Sequence, residues 1–409
     1  MADAIVSLGC RLNIAESETI RAMLGARDVV VVNSCAVTNA AVRQTRQAVR
    51  RLRRERPDAT LVVTGCAAQI DPDSFAAMPE VDRVIGNGRK LDPAAWAGDA
   101  PLLAGPIETG AAAPARQPTS FSGHARAFVE VQNGCDHACT FCAIPAGRGA
   151  SRSLPAGAVI DHIRALVASG HREVVLTGVD LTSYGADLPG IPTLGHLVER
   201  ILRLVPDLER LRLSSVDGVE IDDRLFALIA QEPRVMPHVH LSLQAGDDLI
   251  LKRMKRRHSR AQSVRLVERL KAARGDIVIG ADLIAGFPTE DDAAFANTLA
   301  LIGDCDIVHA HIFPYSPRAG TPAARMPQVP PTVARDRAAR LRDAAASRRS
   351  RWLDSLVGSV QRVLVERPGL RGHANNFATV ALASPATVGS IVAARITGRQ
   401  QEELIGMQA

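Results

Sequence analysis

The chemistry of this chain is concentrated first in nine residues, Gly134-Cys135-Asp136-His137-Ala138-Cys139-Thr140-Phe141-Cys142. Three cysteines spaced C-x3-C-x2-C, with an aromatic just before the last, can wrap one corner of a [4Fe–4S] cluster and supply three thiolates. Ordinary electron-transfer clusters are held by four cysteines, so a missing ligand points to an iron kept open for a substrate or cofactor. A zinc knuckle is the competing reading, with His137 or a distant residue as fourth ligand. Structural zinc sites pair two C-x2-C-like halves, and no second half lies nearby.

A second set of thiols is spread along the first 70 residues. Ala4–Leu8, Val29–Val32 and Leu61–Val63 are short apolar, largely β-branched runs of the kind buried in a parallel sheet. They end at Gly9-Cys10, at Asn33-Ser34-Cys35 and at Thr64-Gly65-Cys66. Open α/β sheets bind ligands at the C-terminal edge of their strands. Three cysteines delivered to that edge can hold a second cluster, again with one iron open, although buried cysteines are also common core residues. Cys305 fits neither spacing and reads as a core thiol.

Behind these residues the chain has 409 positions, enough for two or three domains. Seven cysteines so placed do not make a disulfide framework and suit a reducing cytoplasm. Met1-Ala2-Asp3-Ala4 lacks the basic start of a secretory signal, and no apolar run is long enough to span a membrane. A net charge of +6 is a weak pointer to an anionic partner. The strongest local charge is on residues 42–56. There Val42, Thr45, Ala48, Val49 and Leu52 make one helical stripe and Arg43, Arg46, Arg50, Arg53 and Arg54 another, either a solvated face or an RNA-backbone contact.

Residues 1–91 are thus expected to form a three-layer α/β domain on a parallel sheet, and 92–124, rich in Ala, Gly and Pro, an interdomain linker. From 125 to 350, six strands alternate with helices at βα spacing, which suits a partial TIM-like barrel. Thr177-Gly178, after the second barrel strand, and Ser242 and Gln244, ending the fourth, face its mouth as candidate cofactor contacts. After an arginine-rich helix at 332–351, residues 351–409 alternate as short strands in a unit of OB-like barrel size, a nucleic-acid-binding scaffold.

The C-x3-C-x2-C loop with Phe141 resembles the signature of the radical S-adenosylmethionine (SAM) enzymes. The whole order, a three-cysteine domain, that barrel and a small β-barrel, is similar to the radical-SAM methylthiotransferases. Matching segments include Gly9-Cys10-Arg11-Leu12-Asn13 with Glu16-Ser17, Gly65-Cys66-Ala67-Ala68-Gln69, Leu176-Thr177-Gly178-Val179, Leu283–Glu290 and Pro314–Thr321. Residues 351–409, with Gly372-His373-Ala374-Asn375-Asn376-Phe377, resemble the family's RNA-binding TRAM domain, and Asn33–Thr38 with the arginine helix is most similar to the MtaB type. The resemblance implies two [4Fe–4S] clusters, on Cys10, Cys35 and Cys66 and on Cys135, Cys139 and Cys142, with two SAM molecules used per product. It also implies a tRNA anticodon stem-loop as substrate, methylthiolated at C2 of N6-threonylcarbamoyladenosine, with external electron and sulfur donors. Relatives acting on isopentenyladenosine or on a ribosomal protein side chain are the alternatives. Asp217-Gly218-Val219 and Ala245 depart from the family pattern, where Glu-Pro and Ser are usual.

Overall fold

A computed structural model describes residues 5–25, 27–107, 118, 121 and 123–408. Ala4 and part of the Ala/Gly/Pro stretch, residues 108–117, 119, 120 and 122, lie outside them.

The first sheet is parallel, in the order β1 (Ile5–Ser7), β2 (Val29–Ser34), β3 (Thr60–Gly65), β4 (Arg83–Ile85), β5 (Leu102–Leu103). Because side chains alternate across a strand, Val31 and Val62 face one side and Val30, Val32, Leu61 and Val63 the other. Helix α1 (Arg11–Leu24) lays Ile20 and Leu24 on the first set together with Trp96. Helix α2 (Asn39–Glu55) lays Ala48, Val49 and Leu52 on the second with Phe75. The three layers follow from continuous apolar strands that need cover on both faces.

The expected linker boundary needs correction. Helix Pro93–Ala97, capped by Asp92, puts Trp96 into the first core, and Leu102–Leu103 pairs with β4. The first domain therefore runs to at least Leu103. Composition misled here, because an alanine- and proline-rich stretch is also what a short capped helix and an edge strand look like.

The six barrel strands are parallel in two hydrogen-bonded halves, β6 (Arg126–Glu130) with Glu173–Thr177 and Arg210–Leu213, then His238–Gln244 with Val278–Ala285 and Ile307–Pro314. Single bridges from Leu211 to Val235 and from Val216 to Leu241 join the halves. Leu241, Leu243, Ile279, Ala281 and Leu283 face the helical layer. The alternate positions, His240, Ser242, Asp282 and their neighbours, face the lumen.

Helix Pro331–Ser355 leads to a closed five-stranded barrel, Val360–Glu366, Arg371–Ala374, Thr379–Leu382, Glu403–Gln408 and Ile391–Gln400 in order round the wall. It is docked on the N-terminal ends of the six larger-barrel strands, where Val278 and Val308 join its core. Arg210 donates to Arg362 O and Arg212 to Ala374 O and Asn375 O, both 2.8–2.9 Å in their main contacts.

Candidate active site

The C-terminal edge of the first sheet gathers its three cysteines. Cys10 caps α1, Cys35 follows β2 directly, and Cys66 opens the short helix Cys66–Ile70. Two glycines make this approach possible. A Cβ on Gly9, at φ 95°, would lie 2.7 Å from Cys35 Cβ and Sγ, and one on Gly65, at φ 93°, would lie 2.4 Å from Ser34 O. Both need the left-handed backbone that glycine adopts without strain. Asn13 Nδ2 ties the edge together by donating to Leu8 O at 2.6 Å and Ser34 O at 3.1 Å. Cys66 Sγ accepts from Arg148 Nε at 3.2 Å and from Asn87 Nδ2 at 3.5 Å. A guanidinium and an amide aimed at one sulfur are what a thiolate ligand requires of its surroundings.

The second triad lies in the loop between β6 and helix Ile144–Arg148. Two backbone amides turn back onto its sulfurs, His137 N to Cys135 Sγ and Ile144 N to Cys142 Sγ, each at 3.4 Å. Arg256 Nη1 reaches Cys139 Sγ at 3.6 Å. The loop is pinned by Thr140, whose N–H donates to Met254 O and whose carbonyl accepts from Ala323 N. Phe141 packs edge-on against Phe287, with centroids 6.3 Å apart. Burial pushes the Cys135 thiol up to about 12 and that of Cys142 to about 11, so a metal must displace protons to bind. Sulfurs gathered by N–H donors, with no fourth cysteine at hand, fit a three-ligand [4Fe–4S] corner. The remaining cysteine, Cys305, is buried in the barrel core at the end of helix Asp292–Asp304.

His137 points instead at Asp180, Nε2 to Oδ2 2.7 Å. Cys135, His137 and Asp180 do converge closely enough to share an ion. That trio nonetheless takes only one of the three loop sulfurs, and Cys139 and Cys142 lie outside it.

The expected cofactor contacts stand at strand ends beside this loop. Gly178 leaves room for Gln132, whose Oε1 would lie 2.9 Å from a Cβ there and accepts from Val179 N and Asp180 N. Ser242 gives its carbonyl to Arg256 Nη2 at 2.9 Å, and Gln244 takes a left-handed φ of 67° that turns the chain at the barrel mouth. Thr177 is buried at the end of its strand. Asp217, where the sequence departs from the family pattern, holds Arg256 at 2.9 Å and Arg257 at 3.1 Å. It therefore steadies the arginine that touches Cys139. Ala245 is buried against Phe287 and Met254.

The arginines of α2 divide. Arg53 is spent on Glu80 O, Pro57 O, Ala59 O and Asp82, and Arg46 lies over the Phe75 ring and bonds Ser74. Arg43, Arg50 and Arg54 are exposed, with Arg50 3.6 Å from Glu80. The stripe contains no acid of its own, yet the segment from Asp71 to Asp82 supplies three from across the domain. Helical spacing cannot show that.

Sequence reasoning did not assign the residue that joins the two triads. Arg148 is buried, with Nη1 2.8 Å and Nη2 3.0 Å from the Glu16 oxygens, Nη2 2.6 Å from Asn13 Oδ1 and Nε on Cys66. Lys90 Nζ adds a second cation 2.5 Å from Glu16. Burial would raise the Glu16 carboxyl, but Arg148 and Lys90 override it and hold it at about 2. The available signal was the pair of matching segments, Gly9–Asn13 with Glu16-Ser17, and Arg148-Gly149 just past the second triad. Arg11 was missed as well. Its side chain enters the barrel lumen, and burial followed by Arg126 and Arg212 brings its guanidinium down to about 10, still charged at neutral pH.

Residues 129–302 match the model of the radical SAM superfamily, and residues 3–86 that of an uncharacterized protein family, UPF0004. The chain is 46% identical to a protein of Rickettsia prowazekii named threonylcarbamoyladenosine tRNA methylthiotransferase MtaB, over 97% of this chain and 95% of that one. The chain belongs to the radical-SAM methylthiotransferase family. It is 33% identical to the protein of that name in Thermotoga maritima, over 91% of this chain and 88% of the other. It is also 33% identical to a tRNA-2-methylthio-N(6)-dimethylallyladenosine synthase of Paracoccus denitrificans, over 99% and 96%. Among solved structures, the radical SAM methyltransferase TsrM of Kitasatospora setae shares the fold, with a TM-score of 0.54 at 17% identity over 77% of this chain and 68% of that one. As a methylthiotransferase of this family the chain is a radical SAM enzyme with two [4Fe–4S] clusters.

Proposed function

We propose that this chain adds a methylthio group to C2 of N6-threonylcarbamoyladenosine beside the tRNA anticodon. In this reading Cys135, Cys139 and Cys142 hold the radical-SAM cluster, and Cys10, Cys35 and Cys66 hold the auxiliary one. The observation that carries it is helix Ile144–Arg148, whose first amide donates to Cys142 Sγ and whose last side chain donates to Cys66 Sγ. Five residues of helix rise only about 7 Å. The two triads thus flank a space in which a single base can face both.

When bound, the clusters and SAM supply a carbon-centred radical, a sulfur and a methyl group. An aromatic C2–H calls for that chemistry, because no side-chain base or nucleophile can activate it. The chain's own residues then bind and orient. Thr177, Gly178, Ser242 and Gln244 line the strand ends where SAM would lie. Gln132 and Arg256 fix that rim, and the packed Phe141 and Phe287 keep water from it. The C-terminal barrel and the exposed Arg43, Arg50 and Arg54 would take the anticodon stem by backbone charge, with the loop adenosine unstacked into the lumen. Electrons and replacement sulfur come from outside the chain, and a cytoplasmic setting suits a tRNA substrate.

The test is to incubate the anaerobically reconstituted protein with SAM, a reductant and anticodon stem-loops bearing either the threonylcarbamoyl or the dimethylallyl group, and to look for the added methylthio mass. Product on the threonylcarbamoyl stem-loop is expected. Product on the dimethylallyl stem-loop alone would sink the substrate, and product on ribosomal protein alone would sink the RNA reading with it.

A further inference from the structure

The geometry points to Arg11 as the residue that receives the free carboxylate of the substrate's threonyl arm. This rests on the threonylcarbamoyl reading and names the group that would discriminate for it.

Arg11 follows Cys10 directly and is half-buried. Its guanidinium stands 5.7 Å from the centre of the Phe377 ring, which rises from the C-terminal barrel to floor the lumen. Arg126 and Arg212 lie over the same ring, at 5.2 and 5.1 Å. Three guanidiniums around one ring need anions, and two of them have theirs. Arg126 pairs with Glu366 and with Glu173 at 3.5 Å, and Arg212 pairs with Glu173 at 2.8 Å. Among the described residues, Arg11 makes no hydrogen bond or ion pair.

The acids whose charge is felt at Arg11 are Glu173 and Asp282. Glu173 is already shared among Arg126, Arg210 and Arg212. Asp282 Oδ1 accepts from His240 and His311, both at 3.1 Å. One cation is therefore left over, in a partly desolvated wall one residue from a cluster cysteine. An unpaired buried charge is costly, and a binding site that keeps one is completed by its ligand. An adenine with C2 at the first triad carries its N6 substituent on the same edge of the ring. A threonylcarbamoyl arm there ends in a carboxylate, which a guanidinium can take in a bidentate pair. A dimethylallyl arm would press hydrocarbon on an unpaired charge, so the same residue selects against it.

The experiment measures binding of the reconstituted protein, without reductant, to three labelled stem-loops by fluorescence anisotropy. They carry the threonylcarbamoyl group, its neutral carboxamide, and the dimethylallyl group. The wild type is expected to bind the carboxylate roughly ten- to a hundredfold more tightly than the carboxamide, the span of a charge-assisted pair. Arg11→Gln should bring the two within about twofold of each other while leaving carboxamide affinity and iron content as in the wild type. Arg11→Lys should keep a reduced preference, and it decides the matter if Arg11→Gln does not load iron. Indifference of Arg11→Lys to the carboxylate would then overturn the inference. An undiminished preference in Arg11→Gln, or an equal loss for all three stem-loops, would also overturn it and leave the substrate reading standing. A wild type that prefers the dimethylallyl stem-loop would remove the substrate reading, and the inference with it.

Discussion

Arg148 and Glu16 lie 132 positions apart and are among the most deeply buried charges in the protein, at 2% and 1% side-chain exposure. Removing one member of such a pair costs far more than the pair contributes, because the survivor is left charged in a poor solvent. Arg148→Met should therefore lower unfolding stability by about 3–5 kcal/mol, read by urea denaturation. It should also cut iron at the first triad, since Cys66 loses its nearest donor, while the second triad still loads. Equal iron at both triads would show that Arg148 serves the fold alone. The pH dependence follows from the same contacts. Glu16 titrates at about 2 in the folded chain against roughly 4.3 when unfolded, so its contribution is complete above about pH 5 and is lost as pH falls toward 2. In Arg148→Met, burial is opposed by Lys90 alone, and acid unfolding should begin at a higher pH than in the wild type.

At the scale of elements, the local patterns were readable and the meetings between them were not. The apolar stripe of α2 packs as its spacing requires, and each early strand delivers its cysteine to the sheet edge as its sequence suggests. Helix Ile144–Arg148 is different. It is five residues long, begins beside a proline and has no amphipathic period, so nothing local marks it as a bridge. Its role depends on Gly147, where a Cβ would lie 3.2 Å from Cys66 Cβ and 3.3 Å from Ile70 Cδ1. A branched side chain must push the two helices apart. Gly147→Val should cost about 1–3 kcal/mol by overpacking, and the displaced Cys66 should lower iron at the first triad. Gly147→Ala, which asks its neighbours to give by only a few tenths of an ångström, should lose much less of either. If both variants load two clusters and melt like the wild type, the helix contact does not set the position of Cys66.

Over the whole molecule, the arrangement of the C-terminal barrel was invisible in the sequence because it is fixed by charges far apart in the chain, on residues 126–212 and 362–375. Glu173 lies at the centre, fully buried, with Arg212 at 2.8 Å, Arg210 at 3.3 Å and Arg126 at 3.5 Å. Those arginines reach on to the carbonyls of Arg362, Ala374 and Asn375 and to the Glu366 carboxylate of the small barrel. Burial would raise the Glu173 carboxyl, yet Arg212, Arg126 and Arg210 hold it at about 2. Folding therefore gains from its charge above about pH 5 and loses that gain on acidification. Glu173→Gln keeps the size and removes the charge, so the buried guanidiniums repel one another with Glu366, among the described residues, the one paired acid left to offset them. A loss of about 3–5 kcal/mol is expected for an uncompensated buried charge. Because the loss falls at the junction, the small barrel should come free first. Hydrogen exchange in strand Arg371–Ala374 should quicken well below the urea midpoint of the radical-SAM barrel. The acid limb of the stability curve between about pH 5 and 2 should flatten as one of its strongly depressed carboxylates disappears. Exchange in that strand unchanged from the wild type would mean that the apolar contact of Trp352 and Val308 with the small barrel holds it in place without the charges.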